Sequence, residues 1–104
     1  MNKHIKQSGE EYSVALEFAN KLPSGASLSS ATATAIDIIT KLTDTSILQS
    51  TTCTISGTQA IFKIIGGVHG HRYLIDVTAV LSSSDHLMES IELFIIDDAR
   101  ALIE

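Results

Sequence analysis

The stretch Ile64-Ile65-Gly66-Gly67-Val68-His69-Gly70-His71-Arg72-Tyr73-Leu74-Ile75-Asp76-Val77 sets three glycines and two histidines between two apolar runs. Glycine-rich loops hold phosphate when a helix follows and aims its free N-terminal amides at the anion. Here Tyr73, Ile75 and Val77 alternate with Leu74 and Asp76 after the glycines, which is the period of a strand. No lysine stands where a Walker motif needs one, so the stretch does not read as a nucleotide cradle. Glycine takes positive φ without strain. Gly66 and Gly67 are therefore expected to end one strand and Gly70 to bend the chain into the next, a hairpin with its strands side by side.

The Gly67-x-x-Gly70 spacing also occurs in the clamp of KH domains, but that clamp joins two helices among basic residues, and neither condition holds here. His69 and His71 stand at i, i+2, which can point two imidazoles one way along an extended segment. Zinc takes a third protein ligand, and only distant residues such as His4 or His86, or an acid, could supply it. The two read as loop histidines facing solvent, with no metal assigned.

Working outward, Gln59–Ile65 places Ala60, Phe62 and Ile64 on one face and Lys63 on the other. After the loop, Tyr73, Ile75, Val77, Ala79 and Leu81 share a phase, so Tyr73 is expected in the core. From Leu87 to Ile96 both phases end apolar, with Phe94 and Ile96 opposing Leu93 and Ile95. One face belongs to the core; the other calls for cover by a partner or by the C-terminal segment. Toward the N-terminus, Tyr12, Val14, Leu16 and Phe18 alternate with polar or small residues, and Pro23 and Gly25 break the pattern as a turn. In Leu28–Ile39 a phase of Ala31, Ala33 and Ala35 reads as a strand with a small-residue face, although alanine also favours helix. Ile47–Ser56 reads as one further strand, closed by Gly57.

These runs make six to seven strands with no long helical period between them, which excludes parallel βαβ units. The fold expected is all-β, an antiparallel β-sandwich of immunoglobulin-like type. Residues 1–11 read as a flexible N-terminal segment in which Ile5 could start a short edge strand. Residues 12–97 form the sandwich domain. Residues 98–104 read as a C-terminal tail or a short helical turn, with Asp97 as its cap.

At 104 residues the chain suffices for one domain. Its net charge of −5 is uneven: four Lys/Arg face five acids in residues 1–52, and three face seven in residues 53–104. Such a surface repels phosphate backbones, so no nucleic-acid partner is expected. Cys53 has no partner for a disulfide, and nothing basic near it in sequence would activate its thiol. No apolar run approaches a membrane span, and no apolar core of a secretion signal follows the first lysines. Ser84-Asp85-His86 contains the letters of a catalytic triad, but neighbours in a turn point apart and cannot relay a proton. Neither an enzyme nor a cofactor or small-molecule substrate is expected.

The pattern F-x-I-x-G-G-x-x-G-x-x-Y-x-I-x-V from Phe62 to Val77 resembles the Gly-Gly-x-x-Gly-x-x-Tyr signature of small phage virion proteins of the fibre–tail adaptor and neck or tail accessory type. Phe18 to Ala35, with its Leu-Pro-x-Gly turn before a strand, is similar to a segment of the same family, and Leu87–Ile96 resembles its last strand. The chain carries only Ala33 where the family often has a large aromatic. The resemblance implies a non-enzymatic structural subunit of a tailed-phage or prophage particle, a homo-oligomer with virion or tail components as partners. It would be located in the virion, and in the host cytoplasm during assembly.

Contacts are expected from the turn at Leu22, Pro23 and Gly25, from the loop at Gly66, Gly67, His69, Gly70 and His71, from Phe94 and Ile96, and from the two tails. Edge strands offer unpaired N–H and C=O groups to another chain, and a ring makes weak contacts add up. The competing class is a stand-alone carbohydrate-binding sandwich. It normally shows exposed aromatics for sugar stacking, and this chain has no Trp, two Tyr and three Phe.

Overall fold

Alternation of buried and exposed residues governs every long strand of the computed structural model, which describes residues 2–96. The strands are β1 (Asn2–Lys6), β2 (Tyr12–Glu17), β3 (Leu28–Asp37), β4 (Leu42–Thr43), β5 (Thr54–Ser56), β6 (Gln59–Ile64), β7 (Arg72–Leu81) and β8 (His86–Ile95). A single 3-10 turn, Thr45–Ile47, lies between β4 and β5. One sheet runs β1-β8-β7-β3-β4 and the other β2-β6-β5. All pairings are antiparallel except β1 with β8. The chain is an all-β sandwich, and the orders β3-β7-β8 and β2-β6-β5 match the C-F-G and B-E-D sheets of the immunoglobulin fold.

The inward phases form one core. Ala31, Ala33 and Ala35 of β3 are buried, as are Phe62 and Ile64 of β6, Tyr73 to Leu81 at every second position of β7, and Ile91, Leu93 and Ile95 of β8. The small alanine face leaves room for bulky neighbours, and Phe18, Ile47, Leu48 and Phe62 all join the same cluster. It also lets backbone come close. The Ala33 N–H donates to Thr51 O at 2.7 Å and the Cys53 N–H to Ala31 O at 2.9 Å, closing the edge of β3 beyond β4.

Four expectations are corrected. Eight strands are described rather than six to seven, because short pieces at both ends of the pattern pair as well. The segment expected to be flexible over 1–11 contains β1, held in parallel register from Asn2↔Ile91 to Lys6↔Ile95. Ile47–Ser56 is not one strand. Ile47 and Leu48 are both buried, which a strand of period two cannot do to neighbours, and Asp44 caps the 3-10 turn by accepting the Ser46 N–H at 3.0 Å. The glycine loop is not a hairpin. Both sides of β6 are occupied, by β2 and β5, so β7 crosses to the other sheet and pairs with β3 and β8. The expected tail or helical turn at 98–104 lies outside the described residues.

The glycines do turn the chain, with φ of 60° at Gly66, 107° at Gly67 and 85° at Gly70. Gly67 also needs its missing side chain: a Cβ there would sit 2.7 Å from Ile95 Cδ1. No helix begins at His71; β7 starts at Arg72.

The alanine face gives the first test. Ala33→Leu forces extra volume into a filled core and should cost about 1–3 kcal/mol in urea unfolding, while Thr34→Val on the outward phase should change stability by less than about 0.5 kcal/mol.

Candidate functional site

Four segments converge at one end of the sandwich: the β1–β2 turn, the β3–β4 turn, the β6–β7 loop and the end of β8. Two buried ionic side chains organise them. Asp37, the last residue of β3, is 4 % exposed and lies in the same phase as Ala31, Ala33 and Ala35. Its Oδ1 accepts the Ile39 N–H at 2.9 Å and the Thr40 N–H at 3.4 Å, and its Oδ2 lies 2.8 Å from His71 Nδ1. Burial pushes the Asp37 carboxyl up, but the hydrogen bonds from His71, Ile39 and Thr40 and the charge of His71 outweigh it. The net shift is below the usual carboxylate value. The β3–β4 turn and the β6–β7 loop are thereby joined.

Tyr73 completes the joint from beneath. Fully buried, it accepts the Val68 N–H on its hydroxyl at 3.1 Å, in the manner of the tyrosine corner of immunoglobulin domains. Burial raises its phenol pKa, partly offset by the Val68 hydrogen bond, and the nearby Asp37 and Asp44 raise it further. Across the sheet Lys6 is 1 % exposed, and its ammonium donates to Gln7 O at 2.7 Å, Glu10 O at 2.6 Å and Ser8 O at 3.4 Å. The β1–β2 turn wraps this charge.

What these joints present to solvent is apolar. Seven large hydrophobic side chains are exposed among the described residues, and six of them, Ile5, Ile36, Ile38, Ile39, Leu42 and Val68, lie on this end or on the strand rows next to it. On the outer face of the larger sheet Ile5 stands beside Phe94, and the Arg72 guanidinium covers the Phe94 ring at 5.3 Å.

The expected contact residues divide between two ends. Gly66, Gly67, His69, Gly70 and His71, with Phe94 and Ile96, gather at the apolar end. Leu22, Pro23 and Gly25 sit at the opposite end, where Pro23 and Gly25 border a shallow depression with Ser82, Ser83 and Asp85. Leu22 packs partly into the core. His69 is exposed as expected, but His71 is not a solvent-facing histidine, because the Asp37 carboxylate draws its ring inward. The described residues hold no group of three or more His, Cys, Asp or Glu able to bind a metal ion. Burial raises the pKa of the Cys53 thiol.

Asp37 and Lys6 were missed from sequence. For Asp37 a signal existed: positions 31, 33, 35 and 37 share one phase, so the carboxylate was bound for the interior and needed a partner. Lys6 carried no such mark, since a lysine in a short polar strand reads as solvated.

The sequence matches no protein-family model and no curated protein. No helix among the described residues is long and apolar enough to cross a membrane.

The sign of the Asp37 shift sets a pH dependence. A folded pKa below the unfolded one means the stabilisation is complete above the unfolded value of about 3.9 and is lost as pH falls through the folded value. Asp37→Asn should therefore cost about 1–3 kcal/mol near neutral pH. That gap should close on acidification below the usual carboxylate range, as read by urea unfolding at several pH values. A gap that stays constant into acid would refute the assignment.

Proposed function

We propose that this chain is a non-enzymatic structural subunit of a tailed-phage or prophage particle. It assembles by protein contact with copies of itself and with other virion proteins at the head–tail or tail–fibre junction. The contact part of this reading rests on one observation: exposed Ile38, Ile39, Leu42 and Val68 share one end of the sandwich, on loops and the short strand β4 next to buried polar joints. Isolated exposed apolar residues are ordinary on any surface, whereas a cluster on braced loops is the form of a contact patch. The phage part rests on the ordered resemblance of Phe18–Ala35, Phe62–Val77 and Leu87–Ile96 to small virion proteins. An immunoglobulin-like domain suits such work because its loops vary while its sheets stay fixed. In a ring, each patch engages at high effective concentration, so a weak pairwise affinity suffices.

Two measurements test the reading. Light scattering across a concentration series should show self-association of the native chain, and the double variant Ile39→Asp, Val68→Asp should remain monomeric with its unfolding midpoint nearly unchanged. Antibody against the chain should decorate one fixed site on particles released from the producing cell. A chain that stays monomeric at every concentration and is missing from particles overturns the proposal.

A further inference from the structure

Beyond the apolar end, the open edge of the larger sheet has a charge pattern that selects an occupant. Among the described residues β1 pairs with β8 on one side and is the last strand of its sheet. The Ile96 N–H donates to Lys6 O at 2.9 Å, so the backbone groups of alternate residues Lys6 and His4 point toward β8. By the same alternation the N–H and C=O of Lys3 and Ile5 point outward along the edge. Lys3 and Ile5 also send their side chains to the outer face, where Ile5 is 71 % exposed. Together with His4, Arg72, Glu92 and Phe94 they line a shallow concavity of about 190 Å³.

We propose that this edge receives an extended segment of another protein as an added strand, with an acidic side chain opposite Lys3 and an apolar one opposite Ile5. The inference rests on the reading of the chain as a protein-contact subunit and names the partner chemistry at a second face. Main-chain hydrogen bonds to Lys3 and Ile5 supply the pairing, and the alternate side chains supply the choice of partner. The apolar residue packs on Ile5 and the Phe94 ring. The acid faces Lys3 from outside the sheet, while Glu92 flanks Lys3 on the inner side and Arg72 lies two strands away in the row of Ile5 and Phe94.

A second copy of β1 does not fit. The strand carries Lys3 on its accessible row and no acid, so two copies would bring like charges to one edge, the usual protection of an edge against its own kind. The net charge of −5 does not forbid an acidic guest, because charges beyond roughly 8 Å are screened at physiological salt. The Lys3 charge on the edge decides.

The test uses the full chain with two short blocked peptides, one alternating threonine with glutamate and valine, the other with lysine replacing glutamate. Amide hydrogen exchange is followed by NMR. The glutamate peptide should slow exchange at Lys3 and Ile5 by about tenfold or more and shift the Phe94 ring signals, while the lysine peptide should do neither. Lys3→Glu, an exposed substitution that leaves the core untouched, should reverse the preference. Three results overturn the inference. The peptides do not differ in effect; the two amides are already slow in the dilute free chain, meaning that its own segment covers the edge; or they slow only as protein concentration rises, meaning that a second copy does. If particles still incorporate the chain while both peptides fail, the assembly reading stands and this inference falls.

Discussion

Asp37 keeps its charge at 4 % exposure because donors from two different segments reach it: the Ile39 and Thr40 amides from its own turn and the His71 ring from the loop after β6. A buried carboxylate without such donors would cost several kcal/mol or take up a proton. The position of each segment therefore depends on the other. The β6–β7 loop cannot drift from the β3–β4 turn without stranding the charge, and Tyr73 holds the same loop through Val68. This linkage is what places Ile38, Ile39 and Val68 on the same end, although the loops that carry them come from distant parts of the chain.

Lys6 does the same for the neighbouring turn with the opposite sign. Its ammonium is enclosed by carbonyls of Gln7, Ser8 and Glu10, and the Glu10 side chain in turn accepts the Gln7 N–H at 2.6 Å. Five of the six described Lys and Arg residues, Lys3, Lys6, Lys41, Lys63 and Arg72, lie toward this half of the molecule. At the far end Lys21 is bound to Glu89 at 3.3 Å and to Met88 O at 2.6 Å, among Glu17 and Asp85. The two ends thus differ in character: one is apolar, with its cations matched by Glu10, Glu11, Asp37, Asp44 and Glu92 among the described residues, and the other is serine-rich with acids in excess of its one cation. For a chain of net charge −5, an approach through the first end meets the least repulsion.

The sheets were legible because burial leaves a period-two imprint on any strand with one wet face. Tyr73–Leu81 and Leu87–Ile95 display it over many residues, and even the alanine phase of β3 resolves as strand despite alanine's helical preference. What was not legible is the relation between strands. The loop Gly66–His71 carries the turn chemistry of a hairpin and of a crossover alike. The choice between them is made by the occupancy of β6's two sides, a property of β2 and β5 rather than of the loop. Ile47–Ser56 failed for a related reason: its β-branched composition fits a strand, but the demand to bury Ile47 and Leu48 together imposes a 3-10 turn. The Asp37–His71 contact joins residues 34 positions apart, and only the phase of Asp37 hinted at it.

The same logic separates the edges of the sandwich by their openness. On the β3 side the sheet is closed twice, by β4 near Ile36 and Asp37 and by Thr51–Cys53 near Ala31 and Ala33. A two-residue strand such as β4 offers little to a passing chain. On the β1 side, Lys3 and Ile5 carry the outward backbone groups, and Ile5 stands in the row of Phe94, whose ring lies under the Arg72 guanidinium. Short length and positive charge keep such an edge from templating aggregation, and they leave it able to discriminate by charge. Openness, apolar surface and cations therefore coincide at one corner of the molecule, and the buried charges of Asp37 and Lys6 are the reason that corner holds its shape.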